Sequence, residues 1–407
     1  MSRSEACKAE NLRHWQSAWL DTLIILLSSF SILVDMVNGA AALAGAAVPL
    51  SVAFKGGLLL LLLVRISLES LRIAFALFAF LLCLWVSSYG VLLNTGRFDA
   101  FFLDFSVAIR VVFFLTFMSY LLCCKPPAEP VKQALIFLSL TMLFNLALGA
   151  AGLGYPTYSS GEGFGVKGFI FAGNELAVTL IALTYFILFG WLKTYSWFIQ
   201  ITGMLVVIAT GFLVATKAAM LGVLVVSFMF LWVHRKGTLW VTAALIATTA
   251  LVFLPPIIAF IQDAGLLERF IDIYRTRGFT SLVFSGRDQF LADMSHWVSQ
   301  LPLYYGWLFG WGQGFIEMSL KSAVEIDLFD MLFWFGVPGV FAFIVFFVLL
   351  GSLLNQDKRF LQGTGGLMWL IIFGVSFFAG HVVYAGVPAI PLSLAFYYIH
   401  RVRSEKI

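Results

Sequence analysis

The chain predicts an all-α polytopic membrane protein, and three observations carry that class. Of its 407 residues, 61% are hydrophobic and 11% charged, against about 25% charged in an ordinary soluble domain. Mean hydropathy is +0.98. Apolar runs separated by short polar breaks recur along most of the length, many of them near the roughly 17–25 residues that a spanning helix needs.

In chain order the runs fall at 19–36, 39–64, 73–93, 101–123, 131–153, 168–189, 197–213, 218–233, 240–261, 328–350, 366–384 and 387–400. This predicts about twelve transmembrane helices. The last is short and contains Pro388 and Pro391, which cannot donate within a helix ladder. Three segments follow: 1–261 with helices one to nine, a polar loop at 262–326, and 327–407 with helices ten to twelve.

Orientation follows from Lys and Arg, which are retained in cytoplasmic loops. Alternate loops place Arg3, Lys8 and Arg13, then Arg65 and Arg72, Lys125 and Lys132, Lys193, Arg235 and Lys236, Lys358 and Arg359, and finally Arg401, Arg403 and Lys406 on one side. Both termini are therefore expected in the cytoplasm and the loop at 262–326 outside. The N-terminal 19 residues carry both charge signs and no small-residue cleavage site, so no cleaved signal peptide is expected. Cys7, Cys83, Cys123 and Cys124 all avoid the outer loop, which excludes an exported disulfide framework. No phosphate-cradling glycine loop, zinc-spaced His/Cys set or nucleophile elbow occurs, so nucleotide hydrolysis and metalloprotease chemistry have no support. No nucleic-acid partner is expected.

Charges within spans are costly and usually face a cavity or a partner. Lys55 suits snorkelling, and Arg110 suits pairing with Asp104 or another helix. Asn174 and Glu175, near the outer end of their run, suit either an outward cavity or interhelical hydrogen bonding. Residues 197–233 are too long for one span. Splitting them at 209–217 puts Lys217 at a tight outer hairpin, where it either anchors the turn or, at a helix N-terminus, helps to hold a phosphate.

Within the loop, 263–277 alternates apolar and charged residues at helical spacing, the pattern of a helix lying on the membrane surface. Arg269 there has an ordinary role against lipid head groups, and Arg275 and Arg277 are available for an anion. Ser285-Gly286 breaks the pattern and a new helix is expected over 288–300, so Arg287 emerges at a helix start with a planar fork suited to phosphate. The glycine-rich aromatic stretch 301–314 predicts a tight re-entrant turn. Trp297, Tyr304, Tyr305, Trp307 and Trp311 either stack on sugar rings or form an interfacial belt. Beside these cations and Lys321 lies a carboxylate group, Glu325, Asp327 and Asp330.

Ser285-Gly286-Arg287, Pro302, Gly310-Trp311-Gly312-Gln313-Gly314 and Phe335-Gly336-Val337-Pro338-Gly339, with Thr216-Lys217 upstream, resemble the O-antigen polymerase and ligase superfamily. The likeness covers roughly 168–384. It implies a glycosyltransferase-C-like fold and metal-independent transfer of undecaprenyl-diphosphate-linked glycans on the outer face of a bacterial inner membrane. It also implies a chain-length regulator and a flippase as neighbours. Ligases of that family carry a histidine where this chain has Glu325, which favours the polymerase.

The expected reaction is inverting attack by an acceptor sugar hydroxyl on the anomeric carbon of the diphosphate-linked glycan. Arg287, Arg275 or Arg277, and Lys217 would stabilise the diphosphate. Glu325 would be the general base, with His381 in reserve, while Asp327 and Asp330 orient the acceptor, pair with an arginine or complement the helix start. No metal site or cofactor is expected. The alternatives are a ligase transferring the glycan to a lipid A-core acceptor and, from another class, a transporter of lipid-linked sugars. The absence of repeated halves in the sequence disfavours the latter.

Overall fold

The computed structural model describes residues 17–46, 48–157, 165–234, 266–301, 304–318, 320–321, 323–354 and 364–404. Helices α1 (Ser17–Ser29) and α2 (Ser31–Leu43) form a pair bent by 40°. α3 (Leu50–Glu69), α4 (Leu71–Thr95), α5 (Phe98–Cys124) and α6 (Ala128–Ala150) follow. A small antiparallel hairpin pairs β1 (Tyr155–Pro156) with β2 (Val166–Gly168). α7 (Gly173–Tyr185) continues through a π-helical turn, Phe186–Trp191. Next come α8 (Trp197–Val214), α9 (Lys217–His234), the loop helices α10 (Leu266–Phe284), α11 (Arg287–Ser299), α12 (Tyr304–Phe309) and α13 (Gln313–Glu317), then α14 (Asp327–Leu354), α15 (Thr364–Phe378) and α16 (Ala389–Ser404).

Among the described residues, seven helices are long and apolar enough to cross a membrane, or eight if the bent α1–α2 pair is one span. The chain is thus an all-α, multi-pass membrane protein. α9 and α15 are shorter apolar helices, and the run expected at 240–261 lies outside the described residues.

Boundaries follow turn chemistry. α4 ends at Gly96, whose φ of 66° supplies a left-handed cap. Pro126 and Pro127 separate α5 from α6, because neither can donate into a continuing helix. α8 closes on Ala215 with φ 60°, and the Thr216 hydroxyl accepts from the Ala219 N–H at 3.2 Å, capping α9 and setting Lys217 as its first residue.

Two expected spans are redrawn. The run at 39–64 is broken after Leu43, where Gly45 has φ 80° and Pro49 precedes α3; its first residues belong to α2. The run at 366–384 ends as helix at Phe378, and 379–388 is irregular yet mostly buried. Gly380 with φ 64° and Pro388 oppose helix there, and side chains from other helices satisfy much of the backbone instead.

α5 and α7 are the interior helices, with 72% and 83% of their spanning windows buried. Several charged residues in the bundle are paired. Lys55, 2% exposed, donates to Asp35 at 2.7 Å and to Ser51 at 2.7 Å, so it does not snorkel. Arg65 grips both oxygens of Asp21 at 2.9 and 3.1 Å, and the Tyr120 hydroxyl donates to the same carboxylate. Asp104 does not pair with Arg110: its Oδ1 accepts from the Gly314 N–H at 3.1 Å, tethering α13 to the end of α5.

A bend in α14 holds the remaining loop helices. Pro338 has no N–H for the Trp334 carbonyl, and Gly336 turns to φ 63°, ψ −143°. The carbonyls thus released accept from the loop: Trp311 N–H donates to Phe333 at 2.8 Å and Gly312 N–H to Trp334 at 3.1 Å. A Cβ on Gly310 would fall onto the Trp334 carbonyl, so glycine there permits the approach. This end of the bundle, where α10–α13 sit, is called the loop end below.

Candidate active site

Positive φ in a residue other than glycine costs on the order of 1–3 kcal/mol and persists only where the surroundings enforce it. Among the described residues five adopt it: Lys125, Ala215, Ser285, Glu325 and His381. Four of these belong to one region at the loop end. Ser285 precedes α11, Glu325 precedes α14, His381 lies in the irregular stretch after α15, and Ala215 stands two residues before Lys217.

Side chains join these segments. Arg287, the first residue of α11, donates from Nη1 to the carbonyls of Phe284 at 3.2 Å and Phe378 at 3.1 Å. Its Nη2 donates to Glu325 Oε2 at 2.9 Å. Lys321 donates to the other oxygen, Oε1, at 2.6 Å, and its ammonium stands 4.0 Å from the Phe290 ring centroid. Lys217 donates to the Ser285 hydroxyl at 3.1 Å. Two cations therefore hold the Glu325 carboxylate, and a third, from α9, holds the serine two residues before Arg287. Burial alone would push Glu325 upward; the Lys321 hydrogen bond and the charges of Arg287, His381 and Lys321 outweigh it, so its pKa falls below the usual 4.5.

His381 is close enough to Glu325 for their charges to interact, and its ring centroid lies 5.3 Å from that of Tyr384. Its Nδ1 is buried and makes no hydrogen bond among the described residues. The backbone before it packs on Glu325: a Cβ at Gly380 would lie 2.5 Å from the Glu325 carbonyl oxygen.

Asp327 and Asp330 stand in the first turn of α14. Neither pairs with an arginine or faces outward among the described residues; they are 0% and 1% exposed. Asp327 Oδ2 accepts from the Ser376 hydroxyl at 2.7 Å and from Val382 and Val383 N–H at 3.0 Å each. Asp330 Oδ1 accepts from Val324 N–H at 2.6 Å, and Oδ2 from Glu325 N–H at 3.0 Å and the Tyr384 hydroxyl at 2.9 Å. Two carboxylates three residues apart share a helix face, and here that face is turned to backbone donors of the irregular stretches.

Asn174 and Glu175 hydrogen-bond the irregular stretch after α15. Asn174 donates to the Ala379 carbonyl at 2.7 Å, and Glu175 Oε2 accepts from Val387 N–H at 3.1 Å. Both secure the stretch that carries His381. Trp311 is 4% exposed and packs on Gly306, Trp307 and Phe333, so its ring is a packing element and not a platform for a sugar. Arg275 and Arg277 lie on α10, and Arg275 is exposed.

Lys321 and Tyr384 are the residues the sequence reading underused. Neither Lys321 nor Glu325 lies on a helix, so their spacing of four gave no signal. Nothing in the sequence marked Tyr384. Among the described residues, no group of three or more His, Cys, Asp and Glu side chains has metal-binding geometry.

The chain matches no protein-family model and no curated protein sequence.

Proposed function

We propose that this site holds the diphosphate of a polyprenyl-linked oligosaccharide and transfers the glycan to an acceptor sugar hydroxyl. The polymer would be O-antigen, capsule or exopolysaccharide on the outer face of a bacterial plasma membrane. One observation carries the reading: at one end of a membrane bundle Arg287 and Lys321 meet on Glu325 beside His381, and Lys217 reaches Ser285, two residues before Arg287. Clustered cations with a planar guanidinium suit a diphosphate, and a carboxylate–histidine pair suits proton transfer.

The acceptor oxygen attacks the anomeric carbon as the bond from that carbon to the diphosphate oxygen breaks. The electron pair leaves on the diphosphate, where Arg287, Lys321 and Lys217 neutralise it. The acceptor proton passes to Glu325 or His381. With Arg287 and Lys321 both on its oxygens, Glu325 is a weak base. A diphosphate between those cations would draw them away and raise its proton affinity, coupling donor binding to base strength. Undecaprenyl-diphosphate-linked repeat units supplied to the reconstituted protein are expected to yield a ladder of longer glycans. Movement of donor across the bilayer with no longer product would replace this reading with transport, and transfer only to a lipid A-core acceptor would replace it with ligation.

A further inference from the structure

We propose that Asp327 and Asp330 are positioning residues, each fixing one member of the Glu325/His381 pair through the backbone. This rests on the transfer reading only for its kinetic consequence; the placement itself follows from geometry. Glu325 and His381 have φ of 65° and 62°, a conformation that non-glycine residues avoid. Each is held there by one buried carboxylate on the same turn of α14. Asp330 bonds the N–H groups of Val324 and Glu325, and Asp327 those of Val382 and Val383 directly after His381. Tyr384 ties the two halves together, since it follows the His381 segment and donates to Asp330. The first turn of one helix thereby sets the separation of two side chains that are 56 residues apart in the chain.

The two carboxylates differ in a way that makes the idea testable. Asp327 receives all three of its bonds on Oδ2, and Oδ1 has no partner among the described residues. An asparagine can therefore keep its amide oxygen in the Oδ2 place and put its NH₂ where no donor stands. Asp330 accepts on both oxygens, so an asparagine must point an NH₂ at a donor.

The experiment compares Asp327→Asn, Asp327→Ala, Asp330→Asn and Asp330→Ala in bilayers, with ¹³C-labelled histidine and, separately, the transfer assay. The His381 ring signal is assigned by its loss in His381→Ala. Asp327→Ala is expected to shift and broaden that signal, while Asp327→Asn restores it close to the wild-type position. In the transfer assay Asp327→Ala, Asp330→Ala and Asp330→Asn are each expected to lose about 10²-fold in kcat, the scale of a misplacement near 1 Å, with KM for the donor little changed. Asp327→Asn recovers most of the rate. If the His381 signal is the same in Asp327→Ala as in the wild type, or if Asp327→Asn and Asp330→Asn behave alike, the positioning assignment is wrong. If the signals move as expected but the wild type transfers no glycan, the positioning stands and the transfer reading falls.

Discussion

Arg287 reaches three acceptors on three stretches of chain: the Phe284 and Phe378 carbonyls and Glu325. A lysine carries no planar fork and cannot span them with one ammonium group. Arg287→Lys is therefore expected to lose transfer nearly as fully as Arg287→Ala, with insertion and expression unchanged; polymer ladders from cells expressing each variant check this. At the same locus Glu325 titrates below its ordinary value. A lowered folded pKa contributes stability that is complete above the unfolded value, near 4.5, and is lost as pH falls through the lower folded value. Thermal unfolding of the purified protein should thus show a loss on acidification below that point which Glu325→Gln lacks. Parallel curves for the two proteins would show that the Arg287 and Lys321 contacts contribute nothing to stability.

At the scale of elements, the bend of α14 at Gly336 is what admits the loop. Pro338 and Gly336 free the Phe333 and Trp334 carbonyls, and Trp311 and Gly312 use them. Gly310→Ala would place a methyl on the Trp334 carbonyl while φ at that position is 84°. It is expected to detach α12 and α13 and leave α14 folded, seen as faster hydrogen exchange at 310–317 with unchanged exchange at 340–354. The elements were partly legible in the sequence. The helix start at Arg287 and the hairpin before Lys217 depend on local turn chemistry and were read from it. The end of α15 at Phe378 was not, because the apolar run continues past it with only Gly380 and His381 as breaks, and contacts with Arg287, Asn174 and Asp327 help to hold the irregular form.

For the whole molecule, the buried Asp35–Lys55 pair joins α2 to α3 inside the bundle. Removing one partner leaves a charge uncompensated, which costs about 3–5 kcal/mol, whereas replacing both with apolar residues of similar volume is often neutral. Lys55→Met is expected to lower the unfolding temperature clearly, and Lys55→Met with Asp35→Leu to restore most of it. A double variant no more stable than Lys55→Met alone would mean that these residues act separately.

Composition and hydropathy determined the class by themselves, because a helix must be apolar over a fixed length to cross a bilayer. They also located most of the spans and placed the cations of the loop. Which charge meets which partner was decided by tertiary structure alone. Asp327 and Asp330 read as acceptor-orienting, arginine-pairing or helix-start carboxylates, and Glu175 as either a cavity group or a hydrogen-bonding one. Besides Val324 and Glu325 beside Asp330, their donors include Val382, Tyr384 and Val387, far along the chain. A backbone N–H carries no side-chain signature in sequence, so a carboxylate that serves one is recognised only when the fold brings the two together.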